Sequence, residues 1–148
     1  MSDLLPLVTT VLLAMSLGSA MKALGTGAFV AGFIGPLLPI YLIVPFVFIA
    51  GAIISFTTGT SWGTFAIMMP LAMPMATSLG IPPALLLSAV LGGGVFGDHC
   101  SPISDTTIVA SLASGCELLD HTRTQLPYAL SVAGVTIFGY IMMGLFFI

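Results

Sequence analysis

Residues 4–21 and 127–148 are apolar over about the length that a helix needs to cross the hydrocarbon of a bilayer, roughly 20 residues at about 1.5 Å each. Backbone at that depth has no water to bond with, so such a run closes its own hydrogen bonds as a helix. Composition points the same way: 58% of the residues are hydrophobic, 5% are charged, and the mean hydropathy is +1.22. A soluble domain has a very different balance. Lys22 and Arg123 are the only basic side chains apart from histidine, which leaves no basic patch for nucleic acid. The expected class is an all-α integral membrane protein, one membrane domain over residues 1–148, surrounded by lipid and not an enzyme. Met1-Ser2-Asp3 is acidic and lacks the positive region and cleavage site of a secretory signal, so it reads as the start of a span.

Between the two long runs the chain is interrupted in an ordered way. Residues 22–27 break the first helix, and residues 28–35 are too short to cross before Pro36 and Pro39, which places them at the interface. Residues 40–77 form two apolar arms around Thr57-Thr58-Gly59-Thr60-Ser61-Trp62-Gly63. They are too many for one straight crossing and barely enough for two. Either the polar stretch is a loop on the far side, or the arms form a re-entrant hairpin whose tip stops inside the membrane. Non-helical backbone at that depth needs protein or a watery cavity around it, and a Thr/Ser/Gly tip suits such a place, so the hairpin is expected.

Pro82-Pro83 opens the next helix at its first turn, where a missing N–H costs little. Residues 84–96 carry it inward, 97–105 interrupt it and 106–114 resume it. At about 30 residues in all, the break is expected inside a single crossing. Residues 115–125, with Glu117, Asp120, His121 and Arg123, read as an aqueous turn. The expected order is a span at 4–21, a hairpin at 40–77, a broken helix at 83–115 and a span at 127–148.

The break Gly97-Asp98-His99-Cys100-Ser101-Pro102-Ile103-Ser104-Asp105-Thr106-Thr107 sets two carboxylates and an imidazole between uncharged flanks. An ionisable side chain at membrane depth is a functional residue by default. Where a helix breaks, one part ends in free carbonyls that suit a cation and the next begins with free N–H groups that suit an anion. Two such breaks side by side point to a transporter's binding site. The candidate ion- and substrate-binding residues are therefore Asp98, His99, Ser101, Ser104, Asp105 and Thr106 here, with Thr58, Thr60 and Ser61 at the other tip. Asp105, Ser104, Thr60 and Ser61 carry the hard oxygen atoms expected to hold Na⁺.

Plainer roles compete with these. Ser104 and Asp105 are favoured N-caps for a helix starting at Thr106, small hydroxyl residues join membrane helices, and His99 can be a hydrogen-bonded imidazole. Asp98 ends a half-helix with its charge against the dipole, which asks for a partner cation. Cys100 and Cys116 read as free thiols. With His99 and His121 they match no usual zinc spacing, and half a membrane of helix is expected between the pairs. An intramembrane aspartyl protease is set aside because Val95 stands where its GxGD pattern needs glycine.

Thr58-Gly59-Thr60-Ser61-Trp62-Gly63-Thr64-Phe65-Ala66, the 97–107 break, and Asp120-His121 followed by Arg123-Thr124-Gln125-Leu126-Pro127-Tyr128-Ala129 together resemble the carboxy-terminal part of the NhaC-type sodium/proton antiporters. The resemblance covers nearly the whole chain. It implies an ion transporter of two inverted repeats, each with a re-entrant hairpin and a broken helix, of which one set is visible here. A missing amino-terminal repeat or a partner subunit would complete it, and a homo-oligomer is compatible with the same reading. It further implies a multi-pass protein of the prokaryotic plasma (inner) membrane, with residues 117–123 in the cytoplasm. Na⁺ and H⁺ are then transported ions, and no cofactor is expected. The mechanism implied is Na⁺/H⁺ antiport at one carboxylate-containing site, since desolvation favours a protonated carboxyl and a bound cation favours an ionised one. On this reading Asp105→Asn stops exchange. Similar proteins exchange small carboxylates or amino acids with coupling ions, which gives a Na⁺- or H⁺-coupled exchanger as the alternative. A non-transporting fragment or a subunit of a split transporter is the third reading.

Overall fold

The computed structural model describes residues 4–147, so the reading of Met1-Ser2-Asp3 lies outside the described residues. The described chain is all helical: α1 Leu4–Ala23, α2 Thr26–Ile34, α3 Ile40–Thr58, α4 Ser61–Leu79, α5 Pro83–Cys100, α6 Asp105–Ser114 and α7 Leu118–Phe147. Among the described residues three helices are long and apolar enough to cross a membrane, at Ile40–Thr58, Pro83–Cys100 and Leu118–Phe146. The pair Ser16–Ala23 and Thr26–Ile34, bent by 62°, is long and apolar enough only when taken together, as a broken span or a re-entrant loop.

α3 and α5 form the centre and run parallel in register. Gly93 lies against Phe48 and Gly97 against Ala52, while Ser101 bonds to Phe56, 45 residues away in sequence. Gly93 and Gly97 sit one helical turn apart on one face, the small-xxx-small spacing that lets membrane helices approach closely. A Cβ on Gly93 would run into the Phe48 carbonyl, and one on Gly97 into the Ala52 carbonyl. The Ser55 hydroxyl donates to the Gly94 carbonyl at 2.6 Å and ties the two backbones together. In lipid, where apolar side chains gain little by leaving one apolar solvent for another, such close packing and interhelical bonds carry the association.

α4 packs on α5, α1 and α2, with a smaller contact on α3. α7 runs antiparallel to α3, with Gly144 on Tyr41 at the start of α3. Phe48 joins the layers, its ring 6.0 Å from Phe96 and 5.8 Å from Tyr140. Val135 and Phe138 on α7 are exposed, as suits a helix facing lipid.

Several boundaries move from those expected. The first interruption is shorter than residues 22–27, because α1 continues to Ala23 and α2 starts at Thr26. The helix opened by Pro83 does not stop at Gly97: it continues through Asp98 and His99 to Cys100, and only residues 101–104 leave the helix. Gly97 is there for close packing on α3 and not as a stop. The eighteen residues of α5 already reach about 27 Å, so length alone does not force the break into mid-crossing. Its burial comes from its neighbours, with Ser101 and Ser104 both 0% exposed. The turn expected over residues 115–125 shrinks to residues 115–117, because α7 begins at Leu118 and passes through Pro127 without ending.

Candidate functional site

The two polar tips meet. Gly59 closes α3 with φ 68°, a left-handed conformation that glycine adopts without strain, and its Cα side faces Ile103, where a Cβ would lie 2.9 Å from the carbonyl oxygen. The Ser101 hydroxyl donates to the Phe56 carbonyl at 2.7 Å. The break after α5 is thereby fixed to the end of α3, and the parallel register of the two helices brings both ends to the same level.

Asp98 lies in the last turn of α5 and is 3% exposed. Its Oδ1 accepts a hydrogen bond of 2.6 Å from the Ser104 hydroxyl. Ser104 also caps α6: its Oγ accepts the Thr106 N–H at 3.2 Å and lies 2.8 Å from Thr106 Oγ1. With Asp98 ionised, the single Ser104 hydrogen is committed to the carboxylate, so Thr106 is the donor in the second contact. Capping and ion-site roles for Ser104 therefore coexist in one side chain. Among the described residues every buried side-chain polar atom has a partner.

Asp105 is different. It is the first residue of α6, it is exposed, and its Oδ1 accepts the Thr106 N–H at 2.9 Å. Thr58 is exposed and its hydroxyl donates to Ile54 O at 2.8 Å. Thr60 and Ser61 are half-buried; Thr60 precedes α4 without a side-chain cap bond, and its carbonyl accepts the Thr64 hydroxyl at 3.0 Å. Among the described residues no hydrogen bond joins Thr58, Thr60 or Ser61 to Asp98. The structure thus brings together Asp98, Ser104 and Thr106, ties Ser101 at the end of α5 to the Phe56 carbonyl of α3, and leaves Asp105 at the surface.

His99 points the other way from Asp98, out of the α3 contact. Its Nδ1 donates to the Val95 carbonyl at 2.9 Å, and its ring lines a cleft of about 450 Å³ with Thr106, Thr107, His121, Gln125 and Tyr128. Thr107, His121, Gln125 and Tyr128 were absent from the expected site. The signal was present in the sequence, since residues 121, 125 and 128 share a helix face at i, i+4 and i+7, but only if the helix is known to begin before His121. His99 and His121 are not kept apart by half a membrane of helix, as expected; they face one cleft. The zinc set fails for another reason, since Cys100 is buried in a separate place, the Cys116 thiol turns to Ser111 O at 3.7 Å, and no group of three ligating side chains forms among the described residues. Both cysteines are free.

A model of the Na⁺/H⁺ antiporter family matches residues 1–145. The chain belongs to the Na⁺/H⁺ antiporter family. An uncharacterized Haemophilus influenzae protein is 48% identical over 121 residues, covering 80% of this chain and 23% of its own length. The malate-2H(+)/Na(+)-lactate antiporter of Bacillus subtilis is 34% identical over 126 residues, covering 80% of this chain and 27% of that protein. The Na(+)/H(+) antiporter NhaC of Alkalihalophilus pseudofirmus is 38% identical over 92 residues, covering 62% of this chain and 20% of that protein. The chain therefore spans about a quarter of the length of the first two of these relatives. No solved structure matches. As a member of this antiporter family with apolar spanning helices, the protein is an integral membrane protein.

Proposed function

We propose that this chain forms part of a secondary Na⁺/H⁺ antiporter in which the two ions compete for the carboxylate of Asp98. The observation that carries this is a buried carboxylate with no buried basic side chain to neutralise it: Asp98 is 3% exposed, and Lys22 and Arg123 are both at the surface. A lone carboxylate out of water is stable with a proton on it or with a cation beside it, and one group does not hold both. Loading sodium therefore expels the proton, and protonation expels sodium. Ser104 and Thr106 supply the adjacent oxygen atoms, of the hard type that sodium prefers, while Thr60 and Ser61 on the neighbouring tip complete the shell. Asp105 at the mouth of α6 attracts the cation before it enters.

In this reading the α3–α4 and α5–α6 breaks are the paired tips of one repeat of an inverted-repeat transporter, α3 and α4 forming the re-entrant hairpin. The remaining repeat comes from an amino-terminal region or partner subunit, in a multi-pass protein of the prokaryotic plasma membrane. The printed activity of the Bacillus subtilis relative supports a second reading, in which the same site couples sodium or protons to exchange of a small carboxylate.

The test is Asp98→Asn in a complete transporter carrying this segment, reconstituted in vesicles. Sodium-driven proton movement disappears while expression is unchanged. Asp105→Asn retains most of the exchange, because asparagine caps about as well as aspartate. Full exchange in the Asp98 variant overturns the mechanism. Sodium-dependent uptake of labelled malate by the wild type, without sodium-driven proton movement, selects the second reading.

A further inference from the structure

We propose that the proton exchanged at Asp98 travels between the carboxylate and the cleft beside His121 through the hydroxyls of Ser104 and Thr106. This rests on the sodium reading of Asp98 and adds the route that the competing ion takes. Three oxygen atoms stand in series: Asp98 Oδ1, Ser104 Oγ at 2.6 Å from it, and Thr106 Oγ1 at 2.8 Å from Ser104. They lead from inside to outside. Asp98 and Ser104 are buried, whereas Thr106 is exposed and lines the cleft of about 450 Å³. Among the described residues Ser104 makes the only hydrogen bond to the carboxylate.

The hydrogen bonds of Ser104 balance in both protonation states of Asp98. With the carboxylate ionised, Ser104 donates to Oδ1 and accepts the Thr106 hydroxyl and the Thr106 N–H, which fills its one donor and two acceptor positions. With it protonated, the carboxyl donates to Ser104, Ser104 donates to Thr106 Oγ1, and the Thr106 N–H contact is kept, since either hydroxyl can donate across the 2.8 Å contact. One proton converts the first arrangement into the second. A proton from the cleft binds Thr106 Oγ1, the hydrogen that Thr106 held passes to Ser104, and the hydrogen that Ser104 held passes to Asp98. Each hydroxyl ends with one hydrogen, now directed for the return transfer.

The cleft suits the outer end of this route. Its histidine, glutamine, threonine and tyrosine side chains include donors as well as acceptors, and neither carboxylate, lysine nor arginine lines it. A space of that size with mixed polar partners holds water, which takes up and delivers protons, and no carboxylate there retains one. A second cavity at the end of α5, of about 430 Å³, is walled by Phe56, Phe96, Leu126 and Leu130, with the Cys100 thiol as its one polar side chain among the described residues. Water finds few partners in it.

A complete transporter carrying this segment is reconstituted in vesicles and compared in two modes at saturating sodium: sodium-for-proton exchange, and exchange of labelled for unlabelled sodium, which needs no proton transfer. Saturation matters because Thr106 also contributes an oxygen to the sodium shell. Thr106→Val removes the hydroxyl and keeps the shape, so sodium-for-proton exchange slows at least about tenfold, as on losing a positioned proton-transfer group, while labelled-sodium exchange runs near the wild-type rate. Thr106→Ala gives the same split, and Thr106→Ser, which keeps the hydroxyl, shows neither loss. Undiminished sodium-for-proton exchange in the valine and alanine variants overturns the route. So does an equal loss of both modes in the two variants, which would assign Thr106 to sodium or to the fold alone. Full exchange in Asp98→Asn overturns the competition between the ions and the route with it, whereas normal exchange in Thr106→Val beside an inactive Asp98→Asn overturns the route alone.

Discussion

Ser104 Oγ lies 2.6 Å from Asp98 Oδ1, across the break between two helices. The same oxygen caps α6 by accepting the Thr106 N–H, so one buried hydroxyl both anchors a helix and supports the carboxylate. Ser104→Ala removes both functions at once. Loss of a cap costs about 0.5–2 kcal/mol, and an unpaired buried acceptor about 1–3 kcal/mol. We expect destabilisation of about 2 kcal/mol in reversible detergent unfolding, together with weaker sodium binding. Ser114→Ala, at the exposed end of α6, leaves both unchanged.

The contact of α3 with α5 rests on absent side chains. Gly97→Ala drives a methyl into the Ala52 carbonyl, so the two backbones must separate, at about 1–3 kcal/mol for an overpacked contact. Gly134→Ala on α7 meets nothing within 4 Å and is neutral or slightly stabilising, as alanine favours helix over glycine. Equal stability of the two variants in the same unfolding assay would contradict the packing described.

Two glycines with nearly the same backbone angle separate conformational strain from contact. Gly59 and Gly80 have φ of 68° and 70°, but only Gly59 has a neighbour, Ile103, within reach of a Cβ. Gly80→Ala incurs the left-handed strain alone, about 1–2 kcal/mol. Gly59→Ala adds a clash with the Ile103 carbonyl and pushes the two tips apart, so its loss of stability and of sodium binding is the larger.

Native thiols report the level of the break. Cys116 is exposed in the link after α6, and Cys100 is buried at the end of α5. A membrane-impermeant maleimide added to open membrane sheets labels Cys116 quickly and Cys100 only after unfolding. A cysteine at half-buried Thr60, placed in a Cys116→Ser background, reacts much more slowly than Cys116. Equal rates at Thr60 and Cys116 would remove the covered tip from the site.

Apolar runs and near-absence of charge determined by themselves that this chain is helical and lies in a membrane, because backbone without water has to satisfy itself. The polar residues in those runs likewise marked where the breaks fall, and Pro83 marked a helix start. What the linear pattern left open was which glycines stop a helix and which permit contact. Gly97 and Gly59 look alike in sequence, yet one lies inside α5 against Ala52 and the other ends α3. Only the parallel register of α3 and α5 decides between them, since a Cβ is excluded by a neighbour far away in the chain. The roles of the two aspartates divide for the same reason. Seven positions apart on one polar stretch, Asp98 is enclosed while Asp105 is exposed, because the helix runs one turn further than the glycine suggested. His99 and His121 meet only because α7 folds back along α5, which brings a segment that reads as an aqueous turn to the side of the break.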